Sequence, residues 1–120
     1  GAAVVDFNGD GLLDLVVVNR NAPTQLWRNL GPAGHWAKIT LSQPGPNPSA
    51  IGAWVELRAA GKVQRHELTI GGGHASGMLG PVHFGLGEAT AAEVRVIWPD
   101  GVVSDWQSVA GEATTLLTKP

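Results

Sequence analysis

The sequence predicts an all-β protein, either an antiparallel β-sandwich or a small barrel, with a strand–loop–strand hairpin at its N-terminus. The 120 residues include 17 glycines and 8 prolines, which interrupt nearly every window long enough for a helix. Short segments of alternating polar and apolar residues lie between these turn signals. The hydrophobic content of 43% is enough for a core. All three observations favour strands over helices.

Three strands are predicted in the first thirty residues, namely 2–6, 13–19 and 24–30. The first two are nearly continuous apolar runs, so we expect both of their faces to be covered. The segment Gly31-Pro32-Ala33-Gly34 is short, uncharged and helix-breaking. It is therefore the predicted boundary between a unit at 1–30 and a second unit at 35–120.

The second unit begins with an alternating strand at 35–42. Residues 53–70 predict a hairpin that turns at Ala60-Gly61-Lys62. Further strands are predicted at 82–87, 92–98 and 113–119, with a proline-led turn in 99–106. Seven or so short strands at this spacing are typical of a sandwich or a small barrel.

Charge and composition exclude several classes of function. The net charge of −2 provides no basic field for nucleic acid. The absence of cysteine excludes disulfides, thiolate metal sites and a cysteine nucleophile. No apolar run approaches the ~20 residues that span a bilayer, so we predict no membrane partner. The start, GAAVV, lacks a signal-peptide pattern, and we expect the chain to be cut from a longer protein.

An acidic loop joins the first two predicted strands and follows the pattern D-x-N-x-D-G-x-x-D. Gly11 allows a sharp turn. Alternate side chains in a tight loop converge, and hard oxygen ligands suit Ca²⁺, which takes six to eight of them at about 2.3–2.6 Å. A divalent cation would replace mutual repulsion of the carboxylates with attraction. The predicted metal ligands are the side chains of Asp6, Asn8, Asp10 and Asp14 and the main-chain carbonyl of Leu12.

Two other kinds of loop share part of this pattern. An EF-hand needs a glutamate at the twelfth loop position, where this sequence has Val17 in an apolar run. The site is therefore predicted to lie between strands rather than helices. The same residues could instead form an Asx-rich turn that holds no metal.

Two stretches of the sequence resemble known families. Residues 6–19, DFNGDGLLDLVVVN, resemble the calcium loop of FG-GAP/VCBS repeats, which form the blades of integrin-type β-propellers. Residues 83–87, HFGLG, and 98–101, WPDG, are similar to signatures of the ASPIC/UnbV domain, which follows FG-GAP repeats in secreted proteins. The resemblance implies a remnant of a terminal propeller blade at 1–30, an extracellular location and no established catalytic activity.

Other segments support further hypotheses. The glycines in 71–80 could form an anion-binding nest or a plain connection between sheets. Ser76 in that loop suggests a hydrolase, although it does not fit the G-x-S-x-G pattern. Trp54 shares a strand face with Glu56 and Arg58 and is predicted to be exposed or at an interface, whereas Trp98 is predicted to lie in the core. Exposed tryptophan together with the 71–80 loop could recognise a carbohydrate or a protein.

The leading prediction is a calcium-binding, non-enzymatic module for structure or interaction. We expect the protein to be secreted and to lie outside the cell or at the cell surface. The bacterial periplasm is a further expected compartment. Expected partners are an extracellular protein or a glycan, with no nucleic acid and no membrane. Exposed apolar strands at the N-terminus also predict a homodimer formed through them.

Overall fold

A computed structural model describes residues 1–72 and 74–120 of the chain. These residues contain ten β-strands in three sheets, and the chain divides into two compact units. One unit, which we call the N-terminal unit, comprises residues 1–33 and 70–79. The other, which we call the sandwich unit, comprises 34–69 and 80–120. No helix in the described part of the chain is long and apolar enough to cross a membrane.

The N-terminal unit contains one three-stranded antiparallel sheet in the order β1-β2-β3. Its strands are β1 (Ala2–Val5), β2 (Asp14–Val17) and β3 (Gln25–Trp27). All three are shorter than predicted, because the acidic loop extends to Leu13 and the turn before β3 begins at Val18. The predicted hairpin of two strands around this loop is confirmed.

Apolar side chains of this sheet stay exposed in the described chain, contrary to the expectation that both faces are covered. Val4 and Val5 of β1 are 43% and 44% exposed, and Leu26 and Trp27 of β3 are 64% and 58% exposed. Three short strands cannot form a second layer from their own residues, which is why apolar content alone did not predict burial.

The sandwich unit contains two sheets, with strand orders β10-β4-β7 and β6-β5-β8-β9. Its strands are β4 (His35–Ser42), β5 (Trp54–Ala59), β6 (Lys62–Glu67), β7 (Val82–Gly87), β8 (Ala91–Ile97), β9 (Gln107–Ala110) and β10 (Ala113–Thr118). Neither sheet, as described, closes on itself, so the predicted sandwich is confirmed and the barrel alternative is not.

Alternating residues of both sheets form the core of the sandwich unit. In β4 the buried side chains are Ala37, Ile39 and Leu41, as the polar–apolar alternation predicts. Phe84 of β7 is fully buried and meets His66 of the facing sheet edge-on, with ring centroids 4.9 Å apart. The other buried apolar residues are Ala50, Ala53, Val55, Leu57, Leu68, Val82, Leu86, Ala92, Val94, Val96, Trp98, Val109 and Leu117.

One strand pair departs from the predicted antiparallel fold. Strand β10 pairs with β4 in parallel, from Ala113 beside Ala37 to Thr118 beside Ser42. The periodicity of a strand identifies which face is buried but carries no information on its direction relative to a neighbour. The sheet is therefore mixed, with one parallel pair inside the predicted β-sandwich.

The hairpin of β5 and β6 turns through two residues, Ala60 and Gly61. Both have positive φ, at 48° and 74°, as a type I′ turn requires. Because Ala59 pairs with Lys62, the turn fixes the register of the whole hairpin. The predicted turn position is confirmed.

Residues 70–79 belong to the N-terminal unit, although the chain reaches them only after β6. The Ala2 N–H donates to the His74 carbonyl at 3.0 Å, and the Ser76 hydroxyl donates to the Ala2 carbonyl. Within the segment, the Met78 N–H donates to the Ile70 carbonyl at 2.7 Å. The two hydrogen bonds to Ala2 place the segment beside the first residue of β1. The proposed boundaries at 1–30 and 35–120 did not anticipate this return of the chain.

Candidate functional site

The acidic loop between β1 and β2 turns through two glycines with positive φ, Gly9 at 75° and Gly11 at 85°. The carboxylate of Asp6 accepts three backbone N–H groups of this turn. They come from Gly9 at 2.7 Å, Asp10 at 3.1 Å and Gly11 at 3.0 Å. Asp6 thus organises the backbone of the loop from its first position.

Among the described residues, Asp14 is the only polar or charged residue that is buried, at 2% exposure. It is the first residue of β2, and its carboxylate accepts the Phe7 N–H at 3.2 Å and the Asn29 N–H at 2.8 Å. The Asn29 side-chain amide also donates to the Leu13 carbonyl at 3.3 Å. Asp14 therefore joins the start of the loop to the segment that follows β3.

The Asp10 carboxylate is partly exposed and accepts hydrogen bonds from three donors. They are the Asn8 side-chain amide at 2.8 Å, the Leu12 N–H at 3.0 Å and the Arg28 guanidinium at 3.1 Å. The hydrogen bond from Asn8, followed by that from Leu12, lowers the pKa of the Asp10 carboxyl below its usual value, and Arg28 lowers it further. Since an unperturbed aspartate has a pKa of about 3.9, Asp10 is ionised at neutral pH.

The predicted ligands are close in sequence, but they do not form one pocket of carboxylates in this structure. Within residues 1–72 and 74–120, no three acidic or histidine side chains come together as a group that could hold a metal ion. The carboxylates accept the N–H groups of an Asx-rich turn instead. Leu12 is half-buried, and its N–H donates to the Asp10 carboxylate at 3.0 Å.

The chemistry of the donor set nevertheless fits Ca²⁺. Asp6, Asp10 and Asp14 supply carboxylate oxygens and Asn8 an amide oxygen, which are hard ligands. The positively charged guanidinium of Arg28 pairs with the Asp10 carboxylate at 3.1 Å. The loop thus attracts positive charge. Calcium at this loop stays a prediction that the donor chemistry supports.

Sequence reasoning missed Arg28 and Asn29, which contact the acidic loop from the end of β3. The pairing of β2 with β3 brings them there, with Leu15 opposite Trp27. Sequence alone offers a weak signal for this contact, namely a polar pair directly after a short apolar strand.

Two tryptophans of the sandwich unit, Trp54 and Trp106, pack against arginine side chains. The Arg65 guanidinium lies 4.3 Å from the ring centre of Trp54. Arg58 and Arg95 lie 4.3 Å and 4.7 Å from the ring centre of Trp106. Trp54 is half-buried, and one face of its ring is engaged by a guanidinium. Carbohydrate recognition through Trp54 stays a prediction. A sugar would have to stack on the face of the Trp54 ring that Arg65 does not cover.

Ser76 is bonded to the backbone of β1. Its hydroxyl donates to the Ala2 carbonyl, so its proton is directed at a main-chain oxygen. The structure shows Ser76 as a link between the 70–79 segment and β1, which gives it a structural use without invoking hydrolysis. The predicted anion nest includes Gly73, which lies outside the described residues.

Comparison with known families identifies both parts of the chain. A family described as ASPIC and UnbV matches residues 43–120, and a family described as FG-GAP-like repeat matches residues 6–60. The FG-GAP-like match begins at Asp6, so it covers the whole acidic loop. The order of repeat and domain is the one that the sequence motifs predicted, and that prediction is confirmed.

Three relatives align with almost the whole chain. Cartilage acidic protein 1 of Homo sapiens is 32% identical over 98% of this chain, and that of Mus musculus is 34% identical over 93%. Cartilage acidic protein 1 of Xenopus tropicalis is 30% identical over 98% of this chain. The chain spans only 18% of the length of the human and mouse relatives.

Proposed function

Because the chain belongs to the ASPIC and UnbV family, preceded by an FG-GAP-like repeat, we propose that it is a non-enzymatic extracellular module whose repeat binds Ca²⁺. The observation that carries this proposal is the acidic loop of residues 6–14, where three aspartates and an asparagine surround two tight glycine turns. The match of the FG-GAP-like family to this loop supports the same reading.

The residues that would hold the ion are Asp6, Asn8, Asp10 and Asp14, together with the Leu12 carbonyl. Bound Ca²⁺ would supply positive charge that offsets the repulsion among three carboxylates. Asp6 and Asp14 also position the loop through backbone N–H groups, so much of the loop is organised by the chain itself. The role of the ion is therefore to stabilise the N-terminal unit rather than to carry out chemistry.

Replacing Asp10 with alanine is expected to lower the melting temperature in calcium and to change it little in chelator. A ligand that binds only the folded state stabilises it according to its concentration over its Kd. For a micromolar to millimolar extracellular site in ~1 mM calcium, the stabilisation lost is about 1–4 kcal/mol. Thermal unfolding followed by circular dichroism in each buffer measures this difference.

Asp105→Ala is the matched control, since it removes the same charge from an exposed position of the sandwich unit. It should leave the difference between calcium and chelator at the value of the unaltered chain. Equal destabilisation by Asp10→Ala in both buffers would mean that Asp10 acts only through its hydrogen bonds to Asn8, Leu12 and Arg28, and would contradict the calcium role.

We further propose an extracellular location, at the cell surface, in a secreted form or in the bacterial periplasm, with an extracellular protein or a glycan as partner. The resemblance to repeats of secreted proteins and the relatives named Cartilage acidic protein 1 support this location.

A second copy of the chain is also a proposed partner, through the exposed apolar strands of the N-terminal unit. Val4 of β1 is 43% exposed, and β1 and β3 are the edges of their sheet. Light scattering should then detect a dimer whose population rises with concentration and falls in Val4→Lys. A monomer at every concentration would argue against it.

A further inference from the structure

Arg28 follows the last residue of β3 and reaches back to the acidic loop. Its Nη2 lies 3.1 Å from Oδ2 of Asp10, the same oxygen that accepts the Asn8 side-chain amide. The Arg28 side chain is 57% exposed and that of Asp10 is 28% exposed, so the pair lies at the rim of the loop. The positively charged guanidinium of Arg28 is therefore paired with one of the proposed calcium ligands, Asp10.

We propose that Arg28 is a stand-in cation for the loop: it compensates Asp10 in the absence of metal and lowers the affinity of the loop for Ca²⁺. This inference rests on the proposed calcium function and adds a residue that sets the strength of binding. The Arg28 side chain carries no oxygen that could bind the ion, so it influences the metal through its charge and through its ion pair with Asp10.

The direction of the effect follows from charge. A guanidinium beside Asp10 either has to move away when Ca²⁺ binds or stays and repels the ion. Both routes favour the metal-free loop over the loaded one. By the same argument, removal of Arg28 leaves the Asp10 carboxylate without its ion pair and makes the metal-free loop less stable. The effect is modest because the pair is exposed, and salt weakens it further.

Calcium titration calorimetry of the whole chain in metal-free, low-salt buffer tests the inference. Arg28→Gln should bind Ca²⁺ about two- to fivefold more tightly than the unaltered chain, the range expected for loss of one exposed ion pair. Arg28→Lys keeps the charge and should bind much as the unaltered chain does. The tightening in Arg28→Gln should shrink in high salt.

Arg20→Gln is the matched control, because Arg20 belongs to the same unit and shows no ion pair with the loop among the described contacts. It removes the same net charge, so equal tightening in Arg20→Gln and Arg28→Gln would overturn a specific role for Arg28. Unchanged affinity in Arg28→Gln would overturn the inference while leaving calcium binding in place. A titration of the unaltered chain without any heat would overturn the proposed function itself, and the inference with it.

Thermal unfolding in chelator supplies a second readout that does not depend on the metal. Arg28→Gln should unfold at a lower temperature than Arg20→Gln, because the uncompensated carboxylates repel one another. In saturating calcium the two variants should unfold at similar temperatures, since the ion then neutralises the loop. A deficit of Arg28→Gln that is the same in both buffers would reveal a plain surface ion pair and would overturn the stand-in role.

Discussion

Replacing Phe84 with alanine is expected to lower the free energy of unfolding by about 3–5 kcal/mol, the usual cost of deleting a buried aromatic ring. Phe84 lies at the centre of β7 and is fully buried. Its ring contacts His66 of the facing sheet, so its loss would leave a cavity between the two layers. The effect should be the same in calcium and in chelator, because Phe84 belongs to the sandwich unit.

Urea unfolding of the whole chain measures this loss. Leu116→Ala in β10 is the control, since that side chain is 60% exposed and its truncation should cost less than about 1 kcal/mol. A loss for Phe84→Ala no greater than that for Leu116→Ala would contradict the packing of the two sheets around this ring.

Replacing Asp14 with alanine is expected to lower the free energy of unfolding by about 2–4 kcal/mol, because it leaves backbone donors without an acceptor. The carboxylate is buried and accepts the N–H groups of Phe7 and Asn29. Unlike the loss for Asp10→Ala, most of this loss should persist in chelator. The two aspartates thus separate the hydrogen-bonding role of the loop from its proposed metal role.

Asp14→Asn is the matched variant, since it keeps the shape and one acceptor oxygen. Its amide nitrogen would face one of the two N–H donors, so we expect a loss smaller than that of alanine but greater than zero. Urea unfolding in chelator gives both values. If Asp14→Ala were as stable as the unaltered chain in chelator, its hydrogen bonds to Phe7 and Asn29 would contribute nothing without metal.

Local patterns in the sequence predict much of the sandwich unit. The alternation in 35–42 identifies the buried face of β4, the pair Ala60-Gly61 fixes the hairpin of β5 and β6, and Trp98 is buried at 3% exposure as expected. Each of these features depends on neighbours a few residues apart. The parallel pairing of β10 with β4 joins the two ends of the unit, and periodicity carries no signal for it.

The candidate site shows the same division between local and distant information. The loop from Asp6 to Asp14 could be located from the sequence because its donors alternate around Gly11. The contacts of Arg28 and Asn29 could not, since they depend on how β3 pairs with β2. The return of residues 70–79 to β1 likewise depends on contacts between distant parts of the chain.

A crystal structure of the whole chain grown in calcium, with anomalous scattering data, tests the proposed site most directly. We expect one strong anomalous peak within the loop, about 2.3–2.6 Å from oxygens of Asp6, Asp10 and Asp14. An ordered loop that holds only water in saturating calcium, with the Arg28–Asp10 pair intact, would contradict a calcium-binding repeat.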